Sequence, residues 1–541
     1  MLVVSPGLML AEGETALSSL GIQYLAGTLR AHGYRTEIID ACLEGLDAEG
    51  LAERIRGYRP KVLGVSLASD LVLESAIATV VAVRRAHPQT LVIFGGMFPT
   101  LSPELLLARH GDQVDVVVRG EGEHVLLALV RAHLAGQCWT ELPGIAWRDS
   151  LGKVHMTARS KLIAELDRLP FPARDSTALA LAKGGAIPMS SSRGCPFNCT
   201  FCSIVPFFKA SDGPLWRARS AKNVVDEIQE VTSTLECEDV QFVDDNFMGS
   251  SHRGAVRAQE LAEEILRRGV SVNFSIEARA DDIVAHEDVV ALLKRAGLSR
   301  VFMGLESGSQ AALDRCRKQL ALKDSYRALS ILEAHEILVT FGFMILDPKS
   351  SIDEFDENVA FLSKVSPHHL WSLPNIAQMY VYHGTPVHAQ MDGDQRLKGS
   401  FTRYSYEMRD VAMSRLRDLI DDIFDALVPA YAAVRSFLFE SKCWRQQVLL
   451  SPTGQALRGS ALGNLALLNR TSVEFLKRLS HHIRHADPAE DMGAAQALRS
   501  EVDQRCQQIV QAVLLSRAFF LDPNGVPARN RSLGAALTVP V

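Results

Sequence analysis

Three cysteines fall within one short stretch, Cys195-Pro-Phe-Asn-Cys199-Thr-Phe-Cys202, in the spacing C-x3-C-x2-C. Three thiolates this close can hold three irons of a 4Fe–4S cube and leave the fourth iron without a protein ligand. Iron–sulfur proteins that only carry electrons normally use four cysteines. A missing ligand opens one iron to a small molecule, and so to chemistry. Soft thiolates select iron–sulfur or zinc over hard cations. Zinc sites pair two C-x2-4-C knuckles or add histidines, and here there is no second knuckle and the next histidine downstream is His252.

The elements that must position this loop read as a barrel. From about 185 to 390, apolar strand patterns alternate with helical ones: Ile187–Ser192, Val240–Asp244, Val272–Glu277, Val301–Leu305, Val339–Ile345 and Ile376–Tyr382. Six such units predict a partial (β/α)6 barrel, whose chemistry belongs at the carboxyl ends of its strands. The cysteine loop follows the first strand. The second strand ends in Asp244-Asp245-Asn-Phe, where adjacent carboxylates repel unless a cation or donor is present; an Asx turn is the structural alternative. On the third, Ser275, Glu277 and Arg279 share a face by the period of two. Arg279 has the fork geometry to hold a carboxylate, or it pairs with Glu277. The fourth ends Gly304-Leu-Glu306-Ser-Gly308, and the sixth leads into Tyr380-Val-Tyr382-His-Gly-Thr-Pro386. Trp371, Tyr380 and Tyr382 are candidates for a substrate pocket. Trp216-Arg-Ala-Arg-Ser220 precedes a helix that Ser220 should cap, and its arginines are placed to hold the cluster loop.

Residues 1–150 show a second β–α rhythm, with strands at Leu2–Ser5, Thr36–Asp40, Val62–Leu67, Leu91–Phe94 and Val114–Val118. This predicts a doubly wound parallel (Rossmann-like) sheet, with ligands bound at the carboxyl ends of its strands. The loops in question are Ser5–Glu14, Ser66–Asp70, Gly95–Thr100 and Arg119–Glu123. Paired glycines at Gly95 and Gly96 let backbone approach a ligand closely. Residues 151–184 read as a connector and 391–541 as a helical domain, with amphipathic helices at Val411–Leu438, Gly463–Leu479 and Ala494–Phe520. His481, His482 and His485 read as a solvated helix end, and His368 and His369 as structural.

The chain of 541 residues has 47% hydrophobic and 22% charged residues and a net charge of −6. That is ordinary for a globular protein of two to four domains. No basic field points to nucleic acid or an anionic membrane, and no apolar run reaches the roughly 18–20 residues of a membrane span. The N-terminus reads as a strand rather than a signal peptide. Cys42, Cys138, Cys237, Cys316, Cys443 and Cys506 are scattered, as free thiols of a reducing, cytoplasmic compartment would be.

The cysteine spacing with Phe201, the Asp-Asp-Asn-Phe turn, Gly-Ile-Glu-Ser-Gly-like Gly304–Gly308, Gly384-Thr-Pro, Gly95-Gly-x-x-Pro-Thr100 and Arg119-Gly-Glu-Gly-Glu123 together resemble the cobalamin-dependent radical S-adenosylmethionine (SAM) enzymes, over about residues 1–390. The resemblance implies a 4Fe–4S cluster on Cys195, Cys199 and Cys202, SAM on its open iron, and cobalamin on the first domain. It implies that Phe201, Asp244, Asp245, Ser275, Glu277, Arg279 and Glu306 approach SAM, and that Ser66, Gly95, Gly96, Gly120 and Glu121 approach cobalamin. The cobalt-ligating histidine of an Asp-x-His-x-x-Gly loop is absent from Ser5–Glu14, which implies cobalamin without an imidazole below cobalt. The activity implied is methyl transfer from SAM, via methylcobalamin, to an unactivated carbon or phosphinate phosphorus of a small natural-product precursor or peptide, with an electron donor such as flavodoxin or ferredoxin. The alternatives are a non-methylating cyclase or ring-rearranging relative, or a redox or corrinoid sensor without turnover.

Overall fold

In a computed structural model, residues 2–5, 17–365, 369–371, 379–401, 403–441 and 451–521 are described. They group into two compact units, one mainly Thr15–Gly249 with Val381–Tyr406, the other mainly Ser250–Tyr380 with Glu407–Val541.

The first unit contains a seven-stranded sheet of β1 (Leu2–Ser5), β2 (Glu37–Asp40), β3 (Val62–Ser66), β4 (Leu91–Gly95), β5 (Val116–Val118), β6 (Ile145–Arg148) and β7 (Val154–Met156). Its order is β2-β1-β3-β4-β5-β6-β7. The first five strands run parallel and the last two antiparallel. The parallel strands β3 and β4 are near-continuous apolar runs because helices cover both faces. Leu63, Val65 and Phe94 enter one core layer under the helices Ala48–Arg56 and Leu73–Ala86. Val62, Ile93 and Val116 enter the other, under Leu20–Ala31 and Glu123–Leu134. The order 2-1-3-4-5 places a topological switch point between β1 and β3, where such sheets bind ligands. The five parallel strands lie where the sequence predicts them. The sheet continues to Met156, beyond the expected boundary at 150, because β6 and β7 add an antiparallel edge.

The same unit carries β8 (Ile187–Met189), the short antiparallel ribbon of β9 (Ser192–Arg193) and β10 (Arg217–Ala218), and β11 (Asp239–Phe242), which pairs parallel with β8. Residues 386–406, expected to straddle the barrel and the helical domain, group here. Their hairpin sets the Phe401 ring 5.2 Å from Phe98 in the first core. Ser220 caps the helix Ala221–Leu235 as expected, its hydroxyl accepting from the Asn223 N–H at 3.2 Å.

In the second unit, β12 (Asn273–Ala278), β13 (Leu298–Glu306), β14 (Leu338–Phe343) and β15 (Leu370–Trp371) pair in parallel, in that order. The sixth strand expected at Ile376–Tyr382 is not found: Met379–Tyr382 is not strand, and residues 376–378 lie outside the described residues, as do His368 and Cys443 and most of the Ser5–Glu14 loop. β15 takes the place beside β14. Long helices at Val411–Ser441, Pro452–His485 and Asp491–Phe520 pack on one another. Trp371 is 1% exposed; its indole N–H donates to Asn469 Oδ1 at 2.7 Å, and the Asn469 amide donates to the His369 carbonyl at 2.9 Å. Trp371 is thus a core residue rather than a pocket wall. Among the described residues no helix is long and apolar enough to cross a membrane, and none of the eight described cysteines is in a disulfide.

Asn469→Leu removes the partner of the buried Trp371 indole N–H and one donor to the His369 carbonyl, each loss costing about 1–3 kcal/mol. Urea unfolding should show a loss of about 2–5 kcal/mol, against less than about 1 kcal/mol for a surface substitution such as Arg499→Gln.

Candidate functional site

The cysteine loop leaves the barrel strand through β9 and returns in the helix Ile204–Phe208. Gly194 makes the entry possible. Its φ is +87°, and a Cβ there would lie 1.8 Å from the Leu215 carbonyl oxygen. Cys195, Cys199 and Cys202 are half-buried together, and the Cys202 N–H donates to the Cys199 carbonyl. The Cys202 thiol is pushed up to about 12, first by burial, then by the neighbouring Cys199 and Cys195 and by Asp245. A thiolate therefore exists there only against strong positive charge, as iron supplies. Among the described residues no three His, Cys, Asp or Glu side chains converge on one metal ion. The donor set fits the cluster. Phe201 is half-buried on the same loop, and the Thr200 carbonyl accepts from the Val387 N–H at 2.9 Å.

The Asp-Asp-Asn turn after β11 clamps this loop. Asp244, 1% exposed, accepts from the Ser191 N–H at 2.7 Å and from the Ser191 hydroxyl. Asp245 accepts from the Gly194 N–H at 2.8 Å. The Asn246 carbonyl accepts from the Trp216 indole at 2.9 Å. Burial, then Asp244, push the Asp245 carboxyl up to about 6, against the pull of the Gly194 N–H, Arg193 and Arg217. Of the carboxylate pair read from sequence as SAM contacts, Asp244 has both oxygens engaged by Ser191 at the entry to the loop.

A cavity of about 290 Å³ opens at the carboxyl ends of the first sheet. Ser66, Gly95, Gly96, Gly120 and Glu121 all line it, and so do Arg193 and Asp245 beside the cysteine loop. Its remaining walls are largely apolar, from Leu20, Leu25, Val65, Ile93, Val118 and Leu126. Gly96 has φ +95° and sits so close to Leu67 that a Cβ would lie 2.6 Å from its carbonyl oxygen. Thr100, the last residue of the Gly-Gly-x-x-Pro-Thr motif, ties two loops together: its hydroxyl donates to the Gly96 carbonyl at 2.7 Å and accepts from the Gly120 N–H at 3.0 Å. A cradle of bare backbone above apolar walls at a switch point fits the tail of a large cofactor such as cobalamin.

Glu121 lines the cavity, but its carboxylate is already engaged. One oxygen accepts from Arg193 at 2.9 Å; the other accepts from Arg217 at 2.7 Å and from the Ile163 N–H at 2.8 Å. Glu123 takes the other arm of Arg193 at 2.7 Å. Burial works to raise the Glu121 carboxyl, and the two guanidinium groups more than offset it, so it lies below its usual value. Arg193 also lies 4.9 Å from the Tyr24 ring centroid and Arg217 5.1 Å from that of Phe208. Nε and one terminal nitrogen of Arg217 are buried without a partner among the described residues. Sequence reasoning placed Arg217 to hold the cluster loop but missed its pairing with Glu121 and the parts of Arg193 and Glu123. The signal was two glutamates in Arg119-Gly-Glu-Gly-Glu123 set against two arginines flanking the cysteine loop.

Tyr382, in the same unit, is 38% exposed. Its phenol is pushed up first by burial, then by the Asp70 carboxylate and the Cys202 thiol, which places it near the cluster loop. His383, beside it, hydrogen-bonds Ser102 at 2.7 Å.

In the second unit, the Ser275 hydroxyl accepts from Arg300 at 3.1 Å, and Glu277 is half-buried. Arg279 is held by Asp281 at 2.9 Å and by the Lys318 and Gln319 carbonyls at 2.9 Å each, a structural staple at the start of the helix Ala280–Ala285. Glu306 has φ +67°, at the irregular end of β13, and pairs with Lys318 at 2.8 Å. Tyr380 is 39% exposed. His482 meets Asp491 at 2.9 Å at its helix end.

Comparison with known proteins agrees with these features. The B12 binding domain family matches residues 7–130 and the Radical SAM superfamily matches 189–362. The chain is 27% identical over 349 residues to an uncharacterized methyltransferase of Pyrococcus horikoshii, covering 64% of this chain and 73% of that protein. It is 30% identical over 339 residues to the anaerobic magnesium-protoporphyrin IX monomethyl ester cyclase of Rubrivivax gelatinosus, covering 60% of this chain and 58% of that one. Among solved structures, the cobalamin-dependent SAM radical enzyme OxsB shares the fold over 95% of this chain and 79% of its own, with a TM-score of 0.73 at 19% identity. The radical SAM methyltransferase TsrM of Kitasatospora setae does so over 73% and 77%, with a TM-score of 0.59 at 16% identity. With a thiol donor set suited to a cluster, a glycine cradle at the switch point of its first sheet and both domain families in sequence, this chain belongs to the cobalamin-dependent radical SAM enzymes.

Proposed function

We propose that this enzyme is a methyltransferase, moving the methyl group of SAM by way of cobalamin to an unactivated carbon, or phosphinate phosphorus, of a small natural-product precursor or peptide. Its cofactor part is carried by the cavity, and its methyl-transfer part is supported by the 27% identity to the Pyrococcus methyltransferase. The glycine cradle suited to cobalamin and the carboxylate that holds the cluster loop, Asp245, line one space. When bound, the cluster with SAM supplies a hydrogen-abstracting radical and cobalamin supplies the methyl group; the chemistry is the cofactors' and the positioning is the protein's. Cys195, Cys199 and Cys202 would hold three irons. Asp245 fixes the loop through Gly194, and the apolar walls keep water from the cradle. Tyr382 carries a phenol that is protonated at neutral pH, as any tyrosine's is, and burial raises it further. The electron would come from a flavodoxin or ferredoxin.

A second reading, a cyclase or rearranging enzyme that transfers no methyl group, is favoured by the 30% identity to the Rubrivivax cyclase. The two part at the fate of the SAM methyl group. With reconstituted enzyme, reductant and SAM carrying a deuterated methyl, mass spectrometry should find the label on cobalamin. Unlabelled cobalamin with accumulating 5'-deoxyadenosine would select the second reading.

Cys202→Ala should abolish 5'-deoxyadenosine formation, measured by chromatography; retained SAM cleavage would sink the cluster assignment. Gly96→Ala strains a positive-φ backbone by about 1–3 kcal/mol at the rim of the cradle. Its affinity for hydroxocobalamin should fall about tenfold or more while iron content stays at the wild-type level; unchanged affinity would place the cofactor elsewhere.

A further inference from the structure

In the β9–β10 ribbon, Arg193 stands directly opposite Arg217. Like charges facing one another across an antiparallel pair destabilise it. Glu121 resolves the conflict by giving one oxygen to each arginine, and Glu123 completes the balance on Arg193. Glu121 lies in the turn after β5 and Glu123 opens the helix that follows it; Arg193 precedes the first cluster cysteine by two residues. Glu121, Glu123, Arg193 and Tyr24, against whose ring Arg193 packs, all face the cavity.

We propose that Arg193 is a positioning residue that couples the cofactor cradle to the cluster loop. A molecule filling the cavity presses on the Glu121–Arg193–Glu123 clasp, and the clasp fixes the chain entering Cys195. Cobalamin and cluster then bind with mutual preference, because a carboxylate turn held in place by one favours the loop conformation needed by the other. By linkage, each should strengthen the other by the same factor. The inference rests on the cofactor reading above.

The test is the affinity of the full-length protein for hydroxocobalamin, titrated anaerobically by absorbance with the cluster reconstituted and with it stripped by chelator. In the wild type the cluster should tighten binding by about fivefold or more. Arg193→Lys keeps the charge but cannot span both carboxylates, and Glu123→Gln removes one charge with little change of shape. In either variant the ratio of the two affinities should fall to about one, although cobalamin and cluster each still bind. Should Arg193→Lys fail to fold, Glu123→Gln decides. A ratio near one in the wild type, or a wild-type ratio kept in a folded variant, overturns the coupling. A wild type that binds no cobalamin with or without the cluster overturns the cofactor reading, and the coupling with it.

Discussion

The first unit depends on one carboxylate placed between two guanidinium groups. The β9–β10 ribbon is only two residues wide on each strand, too short to be stable by itself, and it sets Arg193 against Arg217. Nothing within the ribbon can neutralise that pair. Glu121 does so from the turn after β5, and the same carboxylate accepts from the Ile163 N–H in the connector. Three segments far apart in sequence are thereby fixed at one point, and the cysteine loop begins two residues further on.

Such a network is a poor source of stability. Taking four ionised groups out of water costs several kcal/mol each, and their mutual attraction repays this only with good geometry. Nε and one terminal nitrogen of Arg217 are buried without partners among the described residues, so even here the repayment is incomplete. An apolar contact of the same volume would hold the segments together at least as well. What charge adds is direction: a guanidinium fork accepts a carboxylate in few orientations, and a cluster loop that must present three thiols to three irons needs a fixed orientation more than it needs adhesion.

The fold was legible where one physical rule acted alone. Val62–Ser66 and Leu91–Gly95 are buried on both faces and read as continuous apolar runs, so their strands were found almost to the residue. The cysteine loop was legible because thiolate spacing is set by the cluster rather than by the fold. The sixth strand was misplaced because Leu370–Trp371 is too short for a pattern of period two to show. Trp371 looked like a pocket residue because an aromatic at a strand end fits a pocket and a core equally well; the difference lies in Asn469, 98 residues away, which no local pattern reveals. Arg279 was ambiguous for the same reason, since its partners at Lys318 and Gln319 are carbonyls, and a carbonyl leaves no mark in the side-chain sequence.

The polar residues at the strand ends carry the wider lesson. Asp244, Glu121 and Arg279 all stand where a barrel or a doubly wound sheet binds ligands, and each spends much of its hydrogen-bonding capacity on protein. A residue that touches a cofactor needs an unspent group facing the cavity; a residue that aims the loop touching the cofactor needs the opposite. Position at a strand end does not separate the two, because the loops there need anchoring as much as the ligand does. Asp245 shows both demands on one side chain: it accepts from the Gly194 N–H at the entry to the cysteine loop, and it also lines the cavity.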